Sequence, residues 1–171
     1  MKHALVIGGS GMLRETVLWL ADVGYHVSVI GRDEAKMGQL IPRRPDRLSA
    51  IYVDYHDSVQ MADSVRQAIA ERGAIDLVVA WIHSDAPDAL PCVLREVRHD
   101  AQLFHVLGSR AHLEDVKSRL VLPDKLRYHQ VQLGHITEHG ARHWLTHEEI
   151  AGGVIMAIQE NKLCHIVGVV D

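Results

Sequence analysis

The sequence predicts an α/β fold, a doubly wound, mostly parallel sheet with helices on both faces and a C-terminal β-hairpin. Three observations carry this prediction. Strand-like apolar runs alternate with helix-like periodic segments, the pattern of a parallel sheet wrapped on both sides. The run from Ile75 to Ile82 is almost unbroken in apolar residues, as a strand buried on both faces requires. Near the C-terminus Val131 and Leu133 alternate with Gln130 and Gln132, which reads instead as a half-exposed strand. With 171 residues, 47% of them hydrophobic, the chain is long enough for one substantial core, and a single domain over 1–171 is expected.

Each element has its own signal. A short apolar strand ends at Ile7 and runs into the turn Gly8-Gly9-Ser10-Gly11. Leu13, Val17, Leu20 and Ala21 then recur at helical spacing, and Gly24 stands where a helix C-terminus favours glycine. Tyr25 to Ile30 is the second strand, Asp33 to Leu40 a short helix, and Ala50 to Val53 the third strand. Asp57 or Ser58 can cap a helix that runs to about Arg72, where Gly73 stops it. After the fourth strand, Ser84 or Asp85 followed by Pro87 reads as the start of a helix reaching about Val97. Leu103 to Leu107 is a fifth strand, and Gly108-Ser109-Arg110 leaves its carboxyl end. A hairpin is expected from Tyr128 to Trp144, reversing at His139-Gly140. Thr146-His147-Glu148-Glu149 has the spacing of a capping box for a final helix to about Asn161, and Leu163 to Val170 closes the chain as a strand.

The chemistry is concentrated at the first turn. A strand, a glycine-rich turn and a helix N-terminus together form an anion cradle: glycines let backbone N–H groups approach a pyrophosphate, and the helix dipole favours negative charge. Gly8, Gly9, Ser10, Gly11, Met12 and Leu13 are therefore candidate cofactor-binding residues. The second strand ends in Val29-Ile30-Gly31-Arg32, with no carboxylate to bond both hydroxyls of an adenosine ribose. Arg32 can instead pair with a 2′-phosphate, with Ser10 as a neighbouring donor, which points to NADP(H) in preference to NAD(H). The competing placement for Arg32 is solvent or the cap of the helix that follows.

These residues resemble the short-chain dehydrogenase/reductase superfamily, particularly its compact, atypical members, over about the first two thirds of the chain. The resemblance implies a Rossmann-like NAD(P)-binding domain. Gly8 to Arg14 is similar to that superfamily's glycine-x-x-glycine-x-x-glycine turn, with Arg14 in the place of the third glycine, where it either points outward, the favoured placement, or reaches for a phosphate. By the same resemblance Asp54 stands beside the adenine ring, with Tyr55 next to it, and Ala80 and Trp81 lie along the nicotinamide ribose. Asp54 also suits a turn carboxylate and Trp81 a core position. Ser109 matches the position of a catalytic serine. Tyr128 is followed four residues later by Gln132 rather than lysine, so no catalytic role is transferred to it.

The reading is a short-chain dehydrogenase-like small-molecule reductase, or alternatively a non-catalytic NADP(H) sensor. A small-molecule substrate would enter near His83, Ser84, Ser109 and Arg110. The net charge of −4 argues against nucleic acid as a partner, despite the local cluster Arg43, Arg44 and Arg47. The apolar runs are strand-sized, so neither a membrane partner nor a leader is expected, and Cys92 and Cys164 suggest neither a disulfide framework nor a ligand set, fitting a cytoplasmic location. Thirteen histidines, several between His129 and His147, lack a metal-ligand spacing, so no metal is expected. The hairpin edge could pair with a second copy, giving a homo-oligomer.

Overall fold

The computed structural model describes residues 1–8 and 10–171. Strands β1 (Lys2–Ile7), β2 (Tyr25–Gly31), β3 (Leu48–Tyr52), β4 (Leu77–Trp81), β5 (Gln102–Leu107), β6 (Arg127–Leu133) and, at the C-terminus, Cys164–Val167 form one seven-stranded sheet. Two further strands, β7 (His135–Glu138) and β8 (Ala141–Trp144), form a separate antiparallel pair, which makes the C-terminal strand β9. The helices are α1 (Arg14–Asp22), α2 (Glu34–Leu40), α3 (Ser58–Arg72), α4 (Ala89–Leu94), α5 (Leu113–Ser118) and α6 (His147–Glu160). The sheet order is β3-β2-β1-β4-β5-β6-β9, with every pairing parallel.

Side-chain alternation explains the two layers of helices. In β1, Ala4 and Val6 join a core with Val17 and Leu20 of α1 and Val154 of α6, while Leu5 and Ile7 face Met61 and Val65 of α3 and Val93 of α4. Both faces of the central strands are thus out of water, which is why they read as apolar runs rather than alternating ones. The helices begin where their caps dictate. Asp33 accepts from Lys36 N at 3.0 Å and Asp57 from Gln60 N at 3.1 Å. Thr146 and Glu149 form the reciprocal pair of a capping box, at 3.1 and 3.0 Å.

Three expectations are corrected. The segment Tyr128 to Leu133 is not an arm of the hairpin: it is β6, paired in parallel with β5 and β9. Gln130 and Gln132 are only 6% and 4% exposed, because their amides are spent on backbone carbonyls of the β5–β6 connection. The hairpin itself is shorter, β7 and β8, and turns at His139-Gly140, both with positive φ (51° and 76°) as a tight I′-type turn needs. The helix expected from Ser84 or Asp85 starts later, at Ala89, after bonds from Ala86 N to His83 O and from Ala89 N to Ala86 O make turns of Ser84 to Asp88. The one-and-a-half-turn helix α5 was not anticipated; it buries none of its residues and so leaves no periodic pattern.

The hairpin is attached at a close crossing. His135 and Val169 exchange two backbone hydrogen bonds of 2.9 Å each, and a side chain at Gly134 would collide with the Val169 backbone. Glycine there is a requirement of approach.

Candidate functional site

The glycine turn leaves the carboxyl end of β1 where the sheet order reverses, since β2 lies on one side of β1 and β4 on the other. That is the crevice in which open α/β sheets bind ligands. Gly8 has φ +89°, and a Cβ there would lie 3.2 Å from the Cβ and carbonyl oxygen of Trp81, so conformation and space both demand glycine. Gly9 lies outside the described residues. Ser10 is half-buried, with its Oγ 3.2 Å from where a Cβ of Gly31 would stand, so the turn rests on the end of β2. The space beside Gly11 is open, and its carbonyl accepts from Arg14 N at 3.1 Å. Met12 is half-buried against the core, whereas Leu13 is fully buried in it and can offer the turn only its backbone.

Arg14 is half-buried rather than directed fully into solvent. Its Nε is enclosed and, among the described residues, has no hydrogen-bond partner; the Thr16 hydroxyl two residues on is in the same state. Both atoms are closed to solvent, so leaving them unpaired is a cost borne inside the fold.

Beside the turn, an exposed polar chain runs along the rim. Arg32, 68% exposed, pairs with Asp54 (Nη1 to Oδ2, 3.1 Å) across the ends of β2 and β3. Asp33, not Arg32, caps α2. The other Asp54 oxygen accepts from His56 N at 3.0 Å and meets the His56 ring at 2.7 Å, and the far ring nitrogen meets Asp85 at 3.0 Å. The backbone and ring N–H of His56, with the Arg32 charge behind them, hold the Asp54 carboxyl below the usual carboxylate range. The bonds to Asp54 and then Asp85 raise the His56 imidazole above its ordinary value. Sequence reasoning found Arg32 and Asp54 but missed His56 and Asp85. The Asp-x-His spacing at residues 54–56 was the available signal.

Tyr55 is tied down, its hydroxyl accepting from His83 N at 3.2 Å. Ala80 is fully buried in the core. Trp81 is half-buried and lies over Gly8, with its ring edge 3.9 Å from where a Cβ of Gly108 would stand. It thereby spans from the glycine turn to the loop after β5, and its ring meets His83 edge-on at 6.1 Å.

A cleft of about 900 Å³ opens beyond that loop, at the carboxyl ends of β5 and β6. Ser109, Arg110 and His112 of the β5–β6 connection and Arg142 and Trp144 of β8 line it. Ser109 and Arg110 are where the sequence placed a substrate, whereas His83 and Ser84 do not line this cleft. Gln132 fixes the loop by donating to the carbonyls of Gly108 (3.2 Å), Ser109 (3.4 Å) and Ala111 (2.9 Å). Tyr128 lies at the other end of β6, five residues from Leu133 and so roughly 16 Å from the strand's carboxyl end. Its hydroxyl meets His105 Nδ1 at 2.9 Å and accepts from Gln130 at 3.1 Å. Burial pushes this phenol up to about 12 and His105 down to about 4.

Among the described residues, no group of three or more His, Cys, Asp or Glu side chains is gathered to hold a metal ion. His129 is instead buried flat against Phe104, with ring centroids 4.2 Å apart. No described helix is long and apolar enough to cross a membrane.

No family model and no curated protein sequence matches the chain. Solved structures do. A short-chain dehydrogenase/reductase from Serratia marcescens superposes with a TM-score of 0.70 at 18% identity, covering 98% of this chain and 97% of that one. A short-chain dehydrogenase/reductase of the glucose/ribitol dehydrogenase type from Brucella melitensis gives 0.71 at 15% identity, with 96% and 93% covered. A citronellol catabolism dehydrogenase from Pseudomonas aeruginosa gives 0.67 at 17% identity, with 96% and 92% covered. The chain therefore has the Rossmann-like fold of these proteins over nearly its whole length.

Proposed function

We propose that this chain is a short-chain dehydrogenase-like oxidoreductase that binds NADP(H) in preference to NAD(H) and acts on a small molecule. The observation that carries the reading is the glycine turn at the sheet's reversal point, with the open space at Gly11 and Arg32 at the end of β2. The turn and the likeness to dehydrogenase structures support a nicotinamide cofactor; Arg32 supports the phosphorylated form.

On this reading the backbone N–H groups of Gly8 to Leu13 hold the pyrophosphate, with Ser10 and Arg14 as side-chain donors. Arg32 pairs with the 2′-phosphate. Asp54 and Tyr55 flank the adenine, and Ala80 and Trp81 form the floor beside the nicotinamide ribose. When bound, the nicotinamide supplies the hydride chemistry, and the protein's part is to position and exclude water. Ser109 and Arg110 are fixed through Gln132 at the mouth of the cleft, where a substrate oxygen can be held.

The test is to mix the protein with NADPH and a panel of aldehydes, ketones and quinones and follow nicotinamide oxidation. Acceptor-dependent oxidation, abolished by blocking the turn with Gly8→Val, supports the reductase. A second reading, a non-catalytic NADP(H) sensor, is favoured by Tyr128, which is half-buried at the far end of β6 and followed four residues later by Gln132 rather than lysine. Tight NADPH binding with no acceptor oxidising it, coupled to a change in light scattering, would select the sensor.

A further inference from the structure

Resting on the reading that the cleft beyond the loop after β5 receives the substrate, we infer that this substrate is a carbonyl compound bearing a carboxylate, held by Arg142 of the hairpin and Arg110 of that loop. The chain as a whole is acidic, with 22 Asp and Glu against 18 Lys and Arg. The cleft reverses that balance: its described lining sets Arg110 and Arg142 against one acidic side chain, Asp171. A concave surface of one sign concentrates ligands of the other.

That acidic side chain shows what the cleft accepts. The Asp171 carboxylate meets Arg142 Nη1 at 2.8 Å and lies 3.9 Å from His135 Nε2. An arginine with a carboxylate in this contact is a charge-assisted hydrogen bond already formed inside the cleft. It is also replaceable. Arg142 is 57% and Asp171 67% exposed, and an ion pair this open to water contributes little to folding, so an incoming carboxylate can take the place of the aspartate at small cost.

The remaining walls fit the rest of such a molecule. Trp144, 73% exposed, gives an apolar surface for a carbon skeleton. Across from it, the carbonyls of Gly108, Ser109 and Ala111 are engaged by Gln132, which fixes the loop that carries Ser109 and Arg110. The carboxylate is thus anchored toward the hairpin and the carbonyl toward the sheet, on the side where Trp81 reaches from the glycine turn.

Calorimetry on the NADPH-loaded full-length chain tests this, with three acid and ester pairs as probes: pyruvate, 2-oxoglutarate and phenylglyoxylate, each beside its methyl ester. At least one acid should bind about tenfold or more tightly than its ester, the scale of one lost charged contact. Arg142→Ala should remove that preference, while Asp171→Asn, which frees Arg142, should tighten the acid severalfold. Equal binding of every acid and its ester, no binding by any acid, or an acid preference untouched by Arg142→Ala would overturn the inference. NADPH titrations of the same proteins separate the two claims. If NADPH fails to bind, the cofactor reading falls, and the acid and ester comparison on the free chain still decides the cleft.

Discussion

Arg32 and Asp54 show what a sequence conceals about a site. Each is recognisable alone, one as a phosphate partner and the other as an adenine acceptor, yet they pair with each other at 3.1 Å. They stand 22 positions apart, and only the parallel register that sets Gly31 beside Tyr52 brings them together. The pairing has a consequence for cofactor choice. Asp54 places a negative charge beside the cation that would receive a 2′-phosphate, and protonated His56 offsets it. The His56 pKa is raised, first by its bond to Asp54 and then by Asp85, so the imidazolium persists to higher pH than in the unfolded chain. The stabilisation it gives is complete below the unfolded value and lost as pH rises through the raised folded value. The NADPH-to-NADH affinity ratio should therefore fall across that interval, and His56→Gln should flatten the change. Calorimetry at a series of pH values checks this; a ratio with the same slope in both proteins would remove His56 from the account.

Among the elements, legibility followed the strength of local signals. The first glycine turn, the caps at Asp57 and Thr146 and the His139-Gly140 reversal were visible, because each depends on residues within a few positions of one another. Strand β6 was not. Its Val and Gln alternation matches a half-exposed strand, and only the long-range bonds of Gln130 and Gln132 to the β5–β6 connection reveal why polar residues are buried there. Helices α4 and α5, of six residues each, are too short for periodicity to mark their ends. The visible signals carry energy that can be measured. Thr146→Ala removes the hydroxyl that accepts from Glu149 N at 3.1 Å and should cost roughly 1 kcal/mol in urea unfolding, with an unchanged m-value. A cost near zero would mean that α6 is held by its packing on α1 and β9 alone.

At the scale of the molecule, the sequence announced a doubly wound sheet but not its order, since strand neighbours are chosen by contacts distant in the chain. The cleft was equally hidden: it is assembled from residues near 109–113, 132–144 and 170–171, which no motif links. The whole fold also carries an acid-sensitive set of buried imidazoles. Burial depresses His3, His26, His105 and His129, with His26 and His105 both lowered to about 4. A depressed histidine protonates first in the unfolded chain, so stability should fall as pH drops from about 6.5 toward 4 and level off below. His105, almost wholly buried, accounts for about 3 kcal/mol of that loss by the same linkage. His105→Gln, which can keep a bond to Tyr128, should give a shallower acid slope in urea titrations; an unchanged slope would assign the loss to the other imidazoles.

Whether the turn after β1 and the arginine after β2 form a site for a phosphorylated nicotinamide cofactor is decided by titrating the wild type and Arg32→Ala with NADPH and NADH in a calorimeter. NADPH should bind at least tenfold tighter than NADH to the wild type, with the preference lost in the variant and NADH binding retained. Binding of neither nucleotide, or a preference for NADPH that survives the loss of Arg32, would contradict it.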